Sequence, residues 1–408
     1  EGLESTIVRP MLDEKGKPAL ELLREGPVTR EQFRNLVKVV RRKPAVRPVS
    51  EEAPADAPGQ LGSHYAPRKP MTLLEAGEEF VHEEGVRYGL LSYEGELDGY
   101  EIRAVHLSGG SASVMAPDLL GDVLRTVRTH LPVAQGAEVS YDSLPVTIGT
   151  PSLTGIASGH PNRTELMMRS DNDAELKALG CTHNAQHIRN AMLFLAKFHL
   201  NNVGLTLNYG IPGQTMQSWH NSLHAAVIMQ AGHITAEPLA VTDAEGMPNA
   251  AERFEMFRYA CEYLPENGYK MYAAGCFARP GYEYRARAME WNGDDVIGMG
   301  VNGGSVYDGY AVRNTNNLKL YIKNAGDFEK LTAQAAQLDE NALMLRYLRG
   351  RMKLNDGVVE PLFRERFGQE LPQEFSTLLD KAVENGLAQR TADGWMPTLE
   401  GLFRGEVL

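Results

Sequence analysis

The alternation of apolar and polar residues over positions 202–219 defines the structural unit that recurs through most of this chain. Val203, Leu205 and Leu207 are separated by single residues, a spacing that predicts a β-strand. Glycines and a proline at positions 210–213 then predict a turn, and the apolar spacing through Trp219 and Leu223 predicts a helix. A strand, a tight turn and a helix in this order are typical of an α/β protein.

Similar patterns lie on both sides of this unit. They predict strands over residues 101–110, 137–144 and 233–235. They predict helices over residues 71–93, 115–131, 185–200 and 252–264. The central part of the chain is therefore expected to be one α/β domain.

The two ends of the chain have different patterns. Residues 1–70 are predicted to be an extension, with one helix over residues 28–42 capped by Thr29 and a Pro-rich strap over residues 44–67. Residues 331–408 are predicted to be a small C-terminal domain of helices over residues 340–351, 358–367 and 372–385, followed by a hairpin over residues 387–398. Helices followed by a two-stranded hairpin are typical of a winged-helix-like domain.

Composition narrows the function classes. The formal net charge of −12 argues against a nucleic-acid-binding protein, so the winged helix is expected to serve packing or protein contact. No apolar run reaches the length of a membrane span and no signal peptide is recognised, so a cytoplasmic location is expected. Three cysteines in 408 residues do not make a disulfide framework, which fits a reducing compartment.

Residues 209–215, which read Y-G-I-P-G-Q-T and are followed by Trp219, resemble the "YGLPGQT…W" segment of the coproporphyrinogen III dehydrogenase family. This radical-SAM family includes anaerobic porphyrinogen enzymes, heme chaperones and anaerobic heme-degrading methyltransferases. Residues 175–183, 268–281 and 295–305 resemble further segments of the same family. The resemblance implies a partial (β/α) barrel with a mostly parallel sheet over residues 71–330, whose ligand site lies at the carboxyl ends of the strands.

The resemblance also implies which residues would bind a cofactor. The turn at Gly109, Gly110 and Ser111 matches the glycine segment that approaches the amino-acid end of SAM, and Asp142 matches the carboxylate that holds the ribose. The remaining cofactor-binding positions are expected near the barrel mouth: Arg169, Thr206, Tyr209, Gly210 and Arg313. Arg169 and Asp142 are expected to pair with each other and to fill part of the SAM pocket.

Several catalytic positions of the family are absent from this sequence. Cys181, Cys261 and Cys276 cannot form the C-x-x-x-C-x-x-C loop that holds a [4Fe–4S] cluster. Arg169 replaces a glutamine and Thr206 an aspartate, while the Thr-Pro after the glycines and the His-Asn before Trp291 are missing. We therefore expect no [4Fe–4S] cluster, do not favour SAM binding, and predict neither catalytic residues nor a metal site.

Three functional hypotheses follow. The first is a non-catalytic, radical-SAM-derived protein that binds heme or another porphyrin, or acts as a silent subunit or partner in tetrapyrrole metabolism, as a homodimer or with another protein. An alternative is an active radical-SAM tetrapyrrole enzyme whose cluster loop is missing from this chain. Another alternative is an interaction or regulatory protein that acts through its winged helix.

Two pairs of histidines and Met299 are candidate ligands for a metal ion or heme iron. His183 and His187, and His220 and His224, are pairs four residues apart and so share a helix face. No carboxylate at ligand spacing accompanies them, so a structural or surface role is favoured over metal or heme ligation. Met299 is expected in the core or the barrel lining.

Overall fold

A computed structural model describes residues 100–408, apart from Gly110 and residues 241–244, 325–326 and 406, together with the backbone of three earlier strands. The chain divides into two compact units, Glu1–Arg87 and Tyr88–Leu408. In the first unit β1 (Ile7–Leu12) pairs antiparallel with β2 (Pro18–Arg24), and β2 pairs parallel with β3 (Lys38–Arg41).

The strand β3 corrects one prediction. A helix was expected over residues 28–42, but residues 38–41 pair with β2 as a strand. The β-branched side chains of Val39 and Val40 favour extended backbone, and pairing with β2 overrides the helical spacing of the apolar residues. The predicted strap at residues 44–67 and the predicted helix at residues 71–93 lie outside the described residues.

The second unit is built on a seven-stranded sheet with the order β4-β5-β6-β7-β8-β10-β9. Its strands are β4 (Ile102–Leu107), β5 (Val133–Ser143), β6 (Arg163–Arg169), β7 (Val203–Tyr209), β8 (His233–Pro238), β9 (Lys270–Ala273) and β10 (Cys276–Ala278). Strands β4 to β8 are parallel, and β10 and β9 complete the sheet as an antiparallel hairpin. The prediction of an α/β protein with a mostly parallel sheet is confirmed.

Helices alternate with these strands. They are Pro117–His130, Thr150–Ala157, Asp173–Ala178, Ala185–Lys197, Met216–Ile228, Ala250–Glu266 and Arg285–Trp291. Three of these helices, Ala185–Lys197, Met216–Ile228 and Ala250–Glu266, are capped by Asn184, Thr215 and Asn249, whose side chains accept backbone N–H groups of the first turn.

The two faces of the sheet have opposite character because side chains alternate along each strand. One face carries apolar residues such as Leu205, Leu207 and Ile234, which are fully buried in the main core against the helices. The other face carries polar residues, including Glu138, Glu165 and His233, and these are also buried. The helix Arg285–Trp291 contacts this polar face, where the candidate site lies.

The chain continues with a second sheet, β11 (Gly304–Tyr307), β12 (Tyr310–Asn314) and β13 (Thr332–Gln337), in that order. The short helices Leu318–Lys323 and Phe328–Leu331 lie between β12 and β13. Because β13 pairs with β12, this sheet extends past residue 330, where the sequence predicted the C-terminal domain to begin.

The C-terminal region of the described residues consists of helices and a small sheet. Its helices are Glu340–Arg351, Glu360–Phe367, Gln373–Glu384 and Leu399–Arg404, and its sheet has the order β14 (Val358–Val359), β16 (Gly394–Pro397), β15 (Ala388–Arg390). Phe363, Leu379 and Trp395 form part of a separate hydrophobic core. Within the described residues, no helix combines the length and the apolar character that a membrane span requires.

Candidate functional site

The loop after β4 turns sharply at the carboxyl end of the parallel strands. Gly109 has a φ of 94° and Ser111 a φ of 72°, a left-handed backbone that is favourable for glycine and costly for serine. A Cβ atom at position 109 would meet no atom within 4 Å, so the space beside Gly109 is open. Ser111 is buried, with its Oγ 3.0 Å from Ser113 Oγ. Gly110 lies outside the described residues.

Asp142 and His106 meet where β5 and β4 end. His106 Nε2 lies 3.4 Å from Asp142 Oδ1, and His106 Nδ1 lies 2.9 Å from Ser140 Oγ. Burial raises the pKa of Asp142 to about 6, and the charge of Glu165 adds to this. Burial also lowers the pKa of His106 to about 4, and the charge of Arg287 adds to that shift. Between these pH values both groups are neutral, so the contact joins a carboxylic acid and an imidazole rather than two ions.

Replacing Asp142 by Asn should change how stability depends on pH. Asp142 stabilises the folded state below its ordinary pKa of 3.8, and this contribution is lost as the pH rises through about 6. His106 acts in the opposite direction, because its lowered pKa gives stability that is present above pH 6.5 and lost as the pH falls toward about 4. Relative to wild type, D142N should therefore gain on the order of 2–3 kcal/mol between pH 4 and pH 7 in urea unfolding.

The matched control is D393N, which removes a carboxylate from an exposed turn. Its difference from wild type should stay constant over the same pH range. A D142N difference that is equally independent of pH would contradict the raised pKa of Asp142, and a difference of the opposite sign would show that the His106 contact is ionic.

A buried charge cluster lies on the same face of the sheet, toward the start of the strands. Arg163 is 1% exposed, and its guanidinium donates to Glu165 Oε1 and to the Tyr282 carbonyl at 2.9 Å. Glu138 lies 3.8 Å from the same guanidinium, and the Tyr284 ring centroid lies 4.7 Å from it. The cluster therefore fills this end of the polar face with paired charges.

Glu138 also fixes the position of the helix Arg285–Trp291. Its carboxylate accepts the backbone N–H groups of Arg285 at 3.3 Å and Ala286 at 3.1 Å. A carboxylate at this helix end is favoured by the unpaired N–H groups there. Through this contact, the charge cluster and the helix that covers the polar face depend on each other.

That helix places Arg287 over the polar face. Arg287 Nη1 lies 3.4 Å from Glu237 Oε1 and 3.7 Å from Cys276 Sγ. The guanidinium carbon lies 5.4 Å from the Tyr284 ring centroid and 5.8 Å from that of Trp291. The sequence alone assigned no role to Arg287, whereas the structure makes it a cation shared by β8, β10 and its own helix.

A sequence signal for this cluster existed. Polar residues recur at a spacing of two on three consecutive parallel strands, and the register aligns Asp142 with Glu165, Glu165 with Gly204, and Gly204 with His233. A Cβ atom at Gly204 would come within 2.3 Å of the Glu165 carboxylate, so glycine there is what leaves room for Glu165. Such alternation on parallel strands predicts a polar interior face, although it does not predict which charges pair.

The structure separates the other predicted site residues. Arg169 donates to Asn208 Oδ1 at 3.0 Å, and its predicted partner Asp142 instead contacts His106, because β6 ends in a left-handed turn at Arg169 with a φ of 65°. Thr206 is half-buried on β7, aligned with Thr235 of β8. Arg313 lies on β12 in the second sheet, exposed, where it donates to Asn302, and so it is not grouped with the others.

Tyr209 and Gly210 have structural positions. Tyr209 is 1% exposed, and its ring contacts the rings of Trp219 and Phe257 within the core. Gly210 has a φ of 80°, and its N–H donates to Gln214 Oε1 at 2.7 Å. The Gln214 amide in turn donates to the Asn208 carbonyl at 3.1 Å, so the segment of residues 209–215 closes a turn. The contacts of this segment stabilise the fold, and they involve groups of the chain itself.

The cysteines do not fit a [4Fe–4S] cluster. Cys276 is buried on β10, Cys261 lies in the helix Ala250–Glu266, and Cys181 follows a third element. Burial raises the pKa of Cys276 and raises that of Cys261 to about 12, so neither favours the thiolate that ligates iron. Among the described residues, no three His, Cys, Asp or Glu side chains are grouped to hold a metal ion. The open turn at Gly109 and the carboxyl of Asp142 are the features that still fit SAM.

The histidine pairs have partners within the protein. His220 Nδ1 lies 2.6 Å from Tyr259 Oη, and His224 Nδ1 lies 2.9 Å from Tyr263 Oη, which joins two neighbouring helices. His183 is buried, with Nε2 3.1 Å from the Met168 carbonyl. Each of these three side chains therefore has a packing role in the fold.

Comparison with known proteins places these features in a class. Coproporphyrinogen III oxidase (HemN) from Escherichia coli, described as a radical SAM enzyme, has a structure that superimposes with a TM-score of 0.64 over 75% of this chain and 77% of that one, at 18% sequence identity. The seven-stranded sheet and its helices are thus a radical-SAM-type partial barrel.

Heme chaperones are among the sequence relatives of this chain. The chain is 24% identical to "Heme chaperone HemW" of Escherichia coli over 353 residues, which is 81% of this chain and 90% of the relative. It is 22% identical to "Heme chaperone HemW" of Lactococcus lactis over 290 residues, 67% of this chain and 75% of the relative. These relatives and the HemN structure support the resemblance to the radical-SAM family of coproporphyrinogen III dehydrogenases and heme chaperones that the sequence predicted.

A second similarity concerns the other end of the chain. A family model described as "Threonylcarbamoyl-AMP synthase, C-terminal domain" matches residues 28–127. This range crosses the boundary between the two compact units, and most of its first part lies outside the described residues. It is a likeness of one segment and leaves the family of the barrel unchanged.

Proposed function

We propose that this protein is a non-catalytic member of its family that binds heme or a related porphyrin, alone or as a silent subunit beside a protein partner. The two relatives described above are heme chaperones, and the solved structure described above is a coproporphyrinogen oxidase. The observation that supports a non-catalytic role is the polar face of the barrel, which the chain fills with its own charged side chains.

The charged side chains on the polar face of the barrel argue against radical-SAM catalysis. Radical-SAM enzymes need a thiolate-bound cluster to supply an electron for SAM cleavage, and the protein contributes orientation and electrostatics. Here Arg163 and Arg287 pair with Glu165 and Glu237 on the face where such cofactors are held, and the three cysteines lie on separate elements. These pairs place charged side chains of the chain itself on that face.

The remaining predicted residues take a reduced role in this proposal. Gly109, Ser111, Asp142 and Arg169 border a remnant of the SAM site at the strand ends, and we propose that the protein works in the cytoplasm. The open space at Gly109 is the one observation that favours the alternative, an active enzyme supplied with its cluster by a segment absent from this chain.

Heme titration tests the proposed function. Ferric heme added to the purified protein should give a saturable shift of the Soret band, with a dissociation constant in the micromolar range or tighter (about −8 kcal/mol or more favourable). A titration into buffer is the control. A linear, unsaturable response would contradict porphyrin binding.

Iron analysis tests the non-catalytic part separately. Anaerobic reconstitution with iron and sulfide should leave less than one tightly bound iron per chain. About four irons per chain, with the broad visible absorbance of a [4Fe–4S] cluster, would contradict it and favour the active-enzyme alternative.

A further inference from the structure

The loop before β11 and the short helix after β12 expose apolar side chains to solvent. Met299 and Val301 of the loop are 45% and 37% exposed, and Leu318 and Ile322 of the helix Leu318–Lys323 are 60% and 67% exposed. Met299 was expected in the core or barrel lining, so its exposure corrects that prediction. We call these four residues the apolar patch.

Hydrogen bonds hold the two halves of the apolar patch together. The Gly300 N–H, between Met299 and Val301, donates to Tyr321 Oη of the helix at 3.0 Å. The Asn314 side chain donates to the carbonyls of Gly298 at 3.1 Å and Gly300 at 2.9 Å. Because Asn314 is buried and belongs to β12, the sheet fixes the loop. The exposed apolar side chains therefore sit on an anchored backbone, which favours a preformed binding surface.

A cationic strip lies beside the apolar one. On the helix, Leu318 and Ile322 are four residues apart and share one face, and Lys319 and Lys323 are also four apart and form the adjoining face. This helix has no acidic residue, in a chain whose formal net charge is −12. The surface thus joins apolar contact area to positive charge.

We propose that the apolar patch and its two lysines bind the tetrapyrrole. This inference rests on the proposed function and assigns a place to it. A tetrapyrrole is a flat apolar ring with carboxylate side chains at its edge, which matches an apolar strip bordered by ammonium groups. The polar face of the barrel does not match it, because the buried Arg163–Glu165 pair and the half-buried Arg287–Glu237 pair occupy that face.

The test compares variants of the full chain in ferric heme titrations. L318E/I322E should weaken heme binding at least about tenfold, since two apolar contacts are replaced by anions. The matched control is L193E/I228E, which introduces the same charges at two helix positions that are 70% and 66% exposed. The control should bind heme like wild type, and circular dichroism should show equal melting temperatures for both variants.

A second comparison distinguishes charge from apolar contact. K319E/K323E should weaken binding of heme about fivefold or more and should not weaken binding of its dimethyl ester, in which both propionates are uncharged. Equal effects on both ligands would overturn the assigned role of the lysines.

The failures of the two proposals are distinguishable. Heme binding by wild type that L318E/I322E retains would overturn the placement while the proposed function stands. No saturable binding by wild type would overturn both. Sedimentation measurements give a further decisive outcome: a wild-type dimer that L318E/I322E converts to monomer, with heme affinity unchanged, would assign the apolar patch to a second copy of the chain.

Discussion

Replacing Arg163 by Ala is expected to cost about 3–5 kcal/mol in free energy of unfolding. The Arg163 side chain is fully buried, and it neutralises Glu165 while donating to the Tyr282 carbonyl. Without it, the Glu165 carboxylate remains inside the barrel with no cation bonded to it, and desolvation of an unpaired charge is costly. Urea unfolding at pH 7, followed by circular dichroism, measures the loss.

Two further measurements separate charge from packing. Burial raises the pKa of Glu165 and Arg163 opposes that shift, so the R163A defect should shrink as the pH falls and Glu165 takes up a proton. For the same reason R163M/E165Q should recover more than half of the lost stability, since Glu138 keeps its bonds to the backbone of Arg285 and Ala286.

The control is R258A, which breaks an ion pair on the exposed face of the helix Ala250–Glu266. It should leave the unfolding midpoint essentially unchanged. An R163A variant that unfolds at the wild-type midpoint, or a R163M/E165Q variant no more stable than R163A, would show that the cluster does not hold the barrel together.

The sequence predicted the parallel sheet and its helices because the same spacing rules that define a strand also define which face is buried. Strand β7 begins at Val203 and ends at Tyr209, within a residue or two of the alternating pattern, and the capped helix Met216–Ile228 follows the glycine turn. Segments such as these are locally consistent, since propensity, periodicity and turn residues agree. Residues 38–41 are the opposite case. Their apolar spacing predicts a helix, but two adjacent valines favour a strand and the segment pairs with β2.

The candidate site was harder to predict because pairing depends on residues distant in sequence. Arg169 and Asp142 were predicted to pair with each other. In the structure Arg169 instead contacts Asn208 on β7, and Asp142 contacts His106 on β4. Arg287 is 50 residues from Glu237, and its position depends on the Glu138 carboxylate at the start of its helix. Alternation of polar residues reveals a polar face, and the strand order and register then decide which charges meet.

The sequence segment that resembles the family, residues 209–215, makes contacts that hold the fold together. Gln214 joins the turn at Gly210 to Asn208 and also donates to Glu175 Oε2 at 3.2 Å. Selection for a stable barrel is sufficient to keep such residues, because removing a buried amide leaves several groups without partners.

Trp219 follows that segment, and we expect its replacement to cause a large loss in the free energy of unfolding. It is fully buried, its Nε1 donates to the Met256 carbonyl at 2.8 Å, and its ring lies 5.9 Å from that of Tyr209. The side chain thus joins its own helix to the helix Ala250–Glu266 and to the end of β7. Trp219→Ala leaves a cavity among these elements and should cost about 3–5 kcal/mol in urea unfolding, with an unchanged m-value.

The comparison with Trp219→Phe and Tyr310→Ala decides whether the cavity causes this loss. Phe keeps most of the ring volume and forfeits the bond to Met256, so W219F should lose about 1–3 kcal/mol, less than W219A. Tyr310 is 41% exposed, and Y310A should change stability by less than about 1 kcal/mol, because much of the side chain is already in solvent. If W219A were no less stable than Y310A, the packing of Trp219 between β7 and its two helices would not explain why a tryptophan occupies this position. A W219F variant as unstable as W219A would instead assign the effect to the hydrogen bond with Met256.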